Sequence, residues 1–364
     1  MSSITLRRCV VDKKTNKTAY DGYADEAVAL GDTALSGQVF GKTFEPTKPD
    51  SRGNIRFAKL DGAPFRASFI AEIGSLEQGT WLSAQPKNLP PAHKLPFTDA
   101  NSKSLRMILA LRCPTGAPEE LRTQFRNGVA VCDSIRPADE IVEAQHGQSF
   151  YVTESIFLND GEGDPTDNIT MHVRLHPTFE VSYTTTSSTP PTPRRRITKV
   201  GEDATSSDDV VMEGTMTSER KISDTYPTSK LPEIKGALWA LDRAHLIQRD
   251  YKDVDGTLIA PHELTTKLTE GTLVLVMVEL VTYVITDQKP GKKIYHILAD
   301  KLRILDHGNG EPWTAPGLEP SDFTLASPAK RPRDEAADNA FDNFGSRLSP
   351  SPSPRKRAGN SRRT

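Results

Sequence analysis

Residues 272–285 form the longest apolar run of the chain: fourteen positions carry one charge, Glu279, and eight β-branched residues. Branched side chains lose χ1 freedom in a helix and pack well on a pleated surface, so this run predicts a buried strand. Asp-Gln-Lys-Pro-Gly-Lys-Lys at 287–293 supplies turn residues and positive charge, and apolar alternation returns over 294–305. The pair predicts a β-hairpin. Upstream, the short runs 53–57, 64–71, 104–111, 149–157 and 169–176 are punctuated by Gly, Pro and Asp/Asn and predict strands. Pro118 followed by Glu119 and Glu120 predicts a helix over 118–126. Closer to the hairpin, 237–241 and 246–251 predict strands, 253–256 a turn and 261–268 a short helical turn.

These patterns predict a mainly β protein (β-rich α+β) of two β-barrel or sheet domains, at 1–184 and 231–325. Residues 185–230 are Thr/Ser/Pro-rich and then acidic, with few apolar anchors to offset ordering entropy, which predicts a linker or mobile loop. Residues 326–364 predict a disordered basic tail rich in Ser-Pro. The 36% hydrophobic content and 27 prolines agree with a sizeable unpacked fraction.

Charge changes this picture. The formal net charge is -2, yet the tail from Ala326 carries nine basic and four acidic residues, which leaves the body near -7. Duplex-binding domains usually present a strongly basic face, so this charge counts against the whole body being a DNA-coating surface. Cys9, Cys113 and Cys132 lie far apart with no CxxC spacing, which indicates neither a disulfide framework nor a zinc site. The longest apolar run is too short to cross a bilayer as a helix, and no membrane partner is expected.

Gly271 before a long strand, the Lys289–Lys293 loop and a last strand ending in Leu-Arg-Ile-Leu305 together resemble the C-terminal half of OB-fold proteins that bind single-stranded DNA. The resemblance implies an OB-like second domain and a groove for single-stranded DNA or RNA. Such a groove needs ring faces for bases and cations for the backbone. Trp239, Tyr251, Tyr283 and Tyr295 are the candidate rings; Arg243, Arg249, Lys292, Lys293, Lys301 and Arg303 are the candidate cations. Strict two-residue alternation would put Lys301 and Arg303 on the same side of the last strand as Tyr295. The same residues also fit an ordinary core with a lysine-protected edge.

Other motifs select no reaction. Gly37-Gln-Val-Phe-Gly-Lys-Thr43 has three residues between its glycines where a phosphate loop needs four. His172 and His176 share a strand side but have no third metal ligand at a readable spacing, and the acidic run 159–167 lacks the turn glycine and terminal Glu of a calcium loop. No cofactor or metal is expected, and no nucleophile-base pair can be assigned, so a non-enzymatic protein is expected. In the tail, Lys330, Arg331 and Arg333, then Arg355, Lys356 and Arg357, form two basic clusters that predict an import receptor as partner and a nuclear location. Thr192, Ser327 and Ser353 each precede Pro and a basic residue, which resembles sites preferred by cyclin-dependent kinases. Phosphates there would oppose the basic clusters. Two functions remain from sequence: a nuclear single-stranded nucleic-acid-binding protein, or a non-enzymatic scaffold that docks a protein partner or a second copy of itself.

Overall fold

The computed structural model describes residues 7–51, 53–85, 96–102, 105–147, 150–152, 157–159, 169–181, 220–235, 238–286 and 291–314. In chain order its strands are β1 (Phe44–Pro46), β2 (Asn54–Lys59), β3 (Ala67–Ile73), β4 (Phe97–Thr98), β5 (Ile108–Arg112), β6 (Phe150–Val152), β7 (Phe157–Asn159), β8 (Ile169–Leu175), β9 (Phe179–Val181), β10 (Thr225–Pro227), β11 (Trp239–Ala240), β12 (Ala244–Ile247), β13 (Tyr251–Lys252), β14 (Leu273–Ile285) and β15 (Gly291–Asp306). The longer helices are α1 (Ala19–Ala29), α2 (Glu119–Asp133) and α3 (Ile135–Gln145). Thus the predicted β-rich class holds, and the strong hairpin is β14–β15. Of the linker expected at 185–230, residues 185–219 lie outside the described residues, while 220–230 are described and include β10; Thr192, the acidic run at 160–167, and Ser327, Lys330, Arg331, Arg333, Ser353, Arg355, Lys356 and Arg357 of the tail also lie outside the described residues.

Five strands pair in a closed circuit. β3 runs antiparallel to β5, β5 antiparallel to β8, β8 parallel to β15, β15 antiparallel to β14, and β14 antiparallel back to β3. Closure leaves these five strands without an open edge along the circuit and surrounds one core. Phe69, Leu109, Leu111, Val173, Val276 and Ile297 belong to a single buried cluster contributed by all five. The predicted boundary between two cores at 184–231 is therefore not how the chain packs. The described residues belong to one compact unit. β9 and β12, from either side of that boundary, also pair directly.

Helix α2 starts at Pro118, whose extended backbone is the N-cap, with Glu119 and Glu120 in its first turn. Leu121, Phe125, Gly128 and Cys132 recur on one buried face. Phe125 meets Phe69 of β3 with ring centroids 6.4 Å apart, and Gly128 lets the helix approach Leu35. The chain's start is fastened by Arg8, buried and bonded to Glu72 of β3 at 2.9 Å and Asp306 of β15 at 2.6 Å.

A bulge in β15 reorganises its faces. Met277 pairs with Lys301 and Val278 with Ala299, so Asp300 is the extra residue. Before it Tyr295, Ile297 and Ala299 face the core; after it Leu302 and Ile304 do, while Lys301 and Arg303 are exposed. Strict alternation predicted that Lys301 and Arg303 share a side with Tyr295. The added residue inverts the phase and places them on the opposite one.

Candidate nucleic-acid interface

The outer face of β5, β8 and β15 is built by alternation. In β8, Met171, Val173 and Leu175 are buried, so Arg174 and His176 lie on the other side. Ile108 pairs with Arg174, and the register continues through a Leu175 N–H to Met107 O bond of 2.9 Å, which sets Arg106 opposite His176. Arg249, between β12 and β13, donates from Nε at 3.2 Å and Nη2 at 2.8 Å to the carbonyl of Pro177, the residue after His176. Arg249 and Arg106 thus act on one imidazole, and Arg174 lies two residues before it on the same side of the strand. Burial lowers the Arg106 pKa; Tyr283 opposes this, while Arg174 and Arg249 lower it further. Burial also lowers the His176 pKa, reinforced by Arg249 and Arg106 and opposed by Glu279 and Asp300.

Rings and carboxylates complete the face. Tyr283 of β14 lies against His296 of β15, with centroids 4.9 Å apart and planes at 59°. Leu298 pairs with Arg174 across the parallel β8–β15 ladder. Arg66 bridges the two acidic groups, at 3.1 Å to Glu279 and 3.2 Å to Asp300, and Arg56 adds a 3.4 Å contact to Glu279. Among the described residues, five arginines and two carboxylates lie on or beside this face.

The sequence-predicted residues divide between this face and elsewhere. Tyr283 and Arg249 are brought together on it. Lys301 and Arg303 stand exposed on β15 beyond the bulge, with Lys301 3.4 Å from Asp250, and Lys292 is half-buried near the start of β15. Tyr251 is a correction: it is 2% exposed, donates to Ala299 O at 3.3 Å and accepts from the His176 backbone N–H, and its pKa is raised by burial. No ring face is left for a base. Tyr295 is likewise in the core, its hydroxyl donating to Asp139 of α3 at 2.6 Å. Lys293 is buried against the same helix, 2.8 Å from Glu143 and 3.1 Å from Asp139, so its charge is neutralised inside the protein. Trp239 packs on Phe97 at 5.0 Å in a second apolar cluster and donates to Glu233 O, and Arg243 pairs with Asp99 at 3.3 Å. These two sit apart from the arginine face in the pairing order, on the β4–β11 pair and beside it.

Arg66, Arg106, Arg174, His176 and His296 were missed by sequence reasoning. A signal existed for two of them: β8 reads Ile-Thr-Met-His-Val-Arg-Leu-His, with a polar residue at every second position.

No family model and no curated protein matches the chain. Among solved structures, it bears a weak resemblance to single-stranded DNA-binding proteins of bacteriophages. The protein from bacteriophage Enc34 aligns at 9% identity over 77% of this chain and 97% of that one, with a TM-score of 0.30. The same Enc34 protein in complex with ssDNA gives 9% identity, 74% and 97% coverage and a TM-score of 0.29. Gp2.5, the single-stranded DNA-binding protein encoded by bacteriophage T7, gives 12% identity, 74% and 97% coverage and a TM-score of 0.27.

Proposed function

We propose that this protein is a non-enzymatic single-stranded nucleic-acid-binding protein whose strand lies on the outer face of β5, β8, β14 and β15. The observation that carries the proposal is the convergence of Arg106, Arg174 and Arg249 beside the Tyr283–His296 ring pair. Cations track the backbone and rings take unstacked bases, and a groove for single strands needs both on one face. We read the closed circuit as an OB-type barrel, a five-stranded architecture that holds oligonucleotides on the face of its second and third strands. In this chain those strands are β5 and β8, on which Arg174 lies and which Arg106 and His176 flank. Of the sequence-predicted residues, Tyr283, Arg249, Lys301 and Arg303 stay in this proposal; Tyr251, Tyr295 and Lys293 do not.

Base stacking contributes about 1 to 3 kcal/mol per base, so Tyr283→Ala is expected to weaken binding roughly 5- to 150-fold. Fluorescence anisotropy with a labelled oligothymidine checks this, at low salt because the body is acidic and the arginines act through phosphates. A folded Tyr283→Ala variant that binds like the wild type, or a wild type that ignores the strand at about 50 mM salt, overturns the proposal.

A further inference from the structure

We infer that Trp81 is a second platform for a base, and that the bound strand runs from the Tyr283–His296 pair across β15, β8 and β5 to it. This deepens the single-strand reading and rests on it for the nature of the ligand. The placement comes from pairing. Past the end of β3 the place beside β5 passes to residues 81–85: the Gly74 N–H still donates to Ala110 O at 2.7 Å, and Trp81 and Ile108 then exchange N–H to O bonds of 2.7 and 2.8 Å. Residues directly opposite each other in an antiparallel pair share a face. Ile108 pairs with Arg174, Arg174 with Leu298 and Leu298 with Glu279. Trp81 therefore heads a row that crosses the face of the proposed site.

Two further observations fix the side. Leu82 is buried in the barrel core together with Met107, so Trp81 and Ile108 point the other way by alternation. Two residues earlier Gly79, at φ +107°, lies so close to His172 that a Cβ there would stand 2.5 Å from Nε2, and that nitrogen donates to Gln78 O at 3.0 Å. His172 alternates with the buried Met171 and Val173, so the contact is made on the outer side of β8.

The ring is suited to stacking. Its Nε1 donates to Gln85 O at 2.6 Å, and Trp313 meets it with centroids 5.4 Å apart and planes at 69°. The indole N–H is satisfied and the ring plane is held before any ligand arrives, which lowers the ordering cost of binding. Of residues 81–85 Trp81 is the one that is not buried, and half-buried Ile108 lays an apolar floor between it and Arg174. Three strand spacings, about 14 Å, separate β15 from this segment. One base cannot bridge that distance, so Trp81 and the ring pair serve different nucleotides of one strand.

The test follows tryptophan emission of the full chain during titration with an oligothymidine of about twelve nucleotides, alongside anisotropy of the labelled strand. A base stacked on an indole quenches its emission. The expected result is saturable quenching that Trp81→Phe removes and Trp239→Phe leaves in place, with roughly 5- to 150-fold weaker binding in Trp81→Ala. Because Trp81 also supports Trp313, Trp81→Phe is the second binding variant: it keeps a ring in place and is expected to weaken binding less than Trp81→Ala. A folded Trp81→Ala that binds like the wild type, or quenching unchanged in Trp81→Phe, overturns the second platform. Binding weakened by Tyr283→Ala but by neither Trp81 variant refutes the platform and leaves the single-strand reading standing. Trp81-dependent quenching that survives intact in Tyr283→Ala upholds the platform and refutes the ring pair as the site that carries that reading.

Discussion

Burial separates tyrosines that look alike in sequence. Tyr251 and Tyr295 put their rings in the core and their hydroxyls on Ala299 O and Asp139, whereas Tyr283 is half-buried, its ring against His296. The same environment sets the behaviour of His176. Its pKa lies below the ordinary imidazole value of about 6.5 because of burial, Arg249 and Arg106, against the pull of Glu279 and Asp300, with Arg174 close by. The unfolded chain takes the proton more readily, so this group's contribution to stability is complete above about pH 6.5 and is lost as pH falls through the folded value. Binding has the opposite sign. A phosphate beside the ring favours the imidazolium, so binding takes up a proton and tightens as pH falls from about 8 towards 6, by linkage. Anisotropy titrations across that range are expected to show severalfold tightening in the wild type and none in His176→Asn. Loosening on acidification would contradict the placement of His176. At this scale the sequence carried residue types but not exposure, which depends on what covers each ring. Val281 beside Tyr283 and Leu298 beside Arg174 are both nearly covered, although neither position can be recognised as such from its neighbours in sequence.

Among the elements, the hairpin was legible and its partner helix was not. β14 stands out because apolar, β-branched residues dominate it, and Gly271, at φ +79°, occupies a left-handed position that suits glycine. The bulge at Asp300 was hidden because a register shift is a property of two strands, and no residue type announces it. Helix α3 has Pro137 in its first turn, and the face it turns to β15 includes Arg136, Asp139 and Glu143. Its docking surface is polar, so an apolar-period search passes over it. That docking makes a prediction. Among the described residues, removing Lys293 leaves Asp139 with only the Tyr295 hydroxyl and Glu143 with only Arg136, and breaking a buried ion pair costs up to about 3 to 5 kcal/mol. Urea denaturation of Lys293→Ala is expected to show that loss. A loss under about 1 kcal/mol would mean that the ion network is not buried as described.

For the whole molecule, the closing of the barrel decides which residues meet. β3, β5 and β8 come from the first half of the chain and β14 and β15 from the second, and the parallel β8–β15 ladder joins residues more than 120 positions apart. Local patterns identify strands but cannot say which distant strand lies beside which, so two domains were expected where one barrel forms. A fragment of residues 231–325 holds two of the five barrel strands and cannot complete the circuit. The barrel also gathers arginines from separate segments of a chain whose body is acidic overall. Photo-crosslinking tests this account most directly: an oligothymidine carrying 5-iododeoxyuridine is irradiated on the full chain and the attached peptide is mapped. Attachment at Tyr283 or His296, weakened by raised salt, is the predicted result. Attachment centred on Trp239, or a pattern unaffected by Tyr283→Ala, would contradict it.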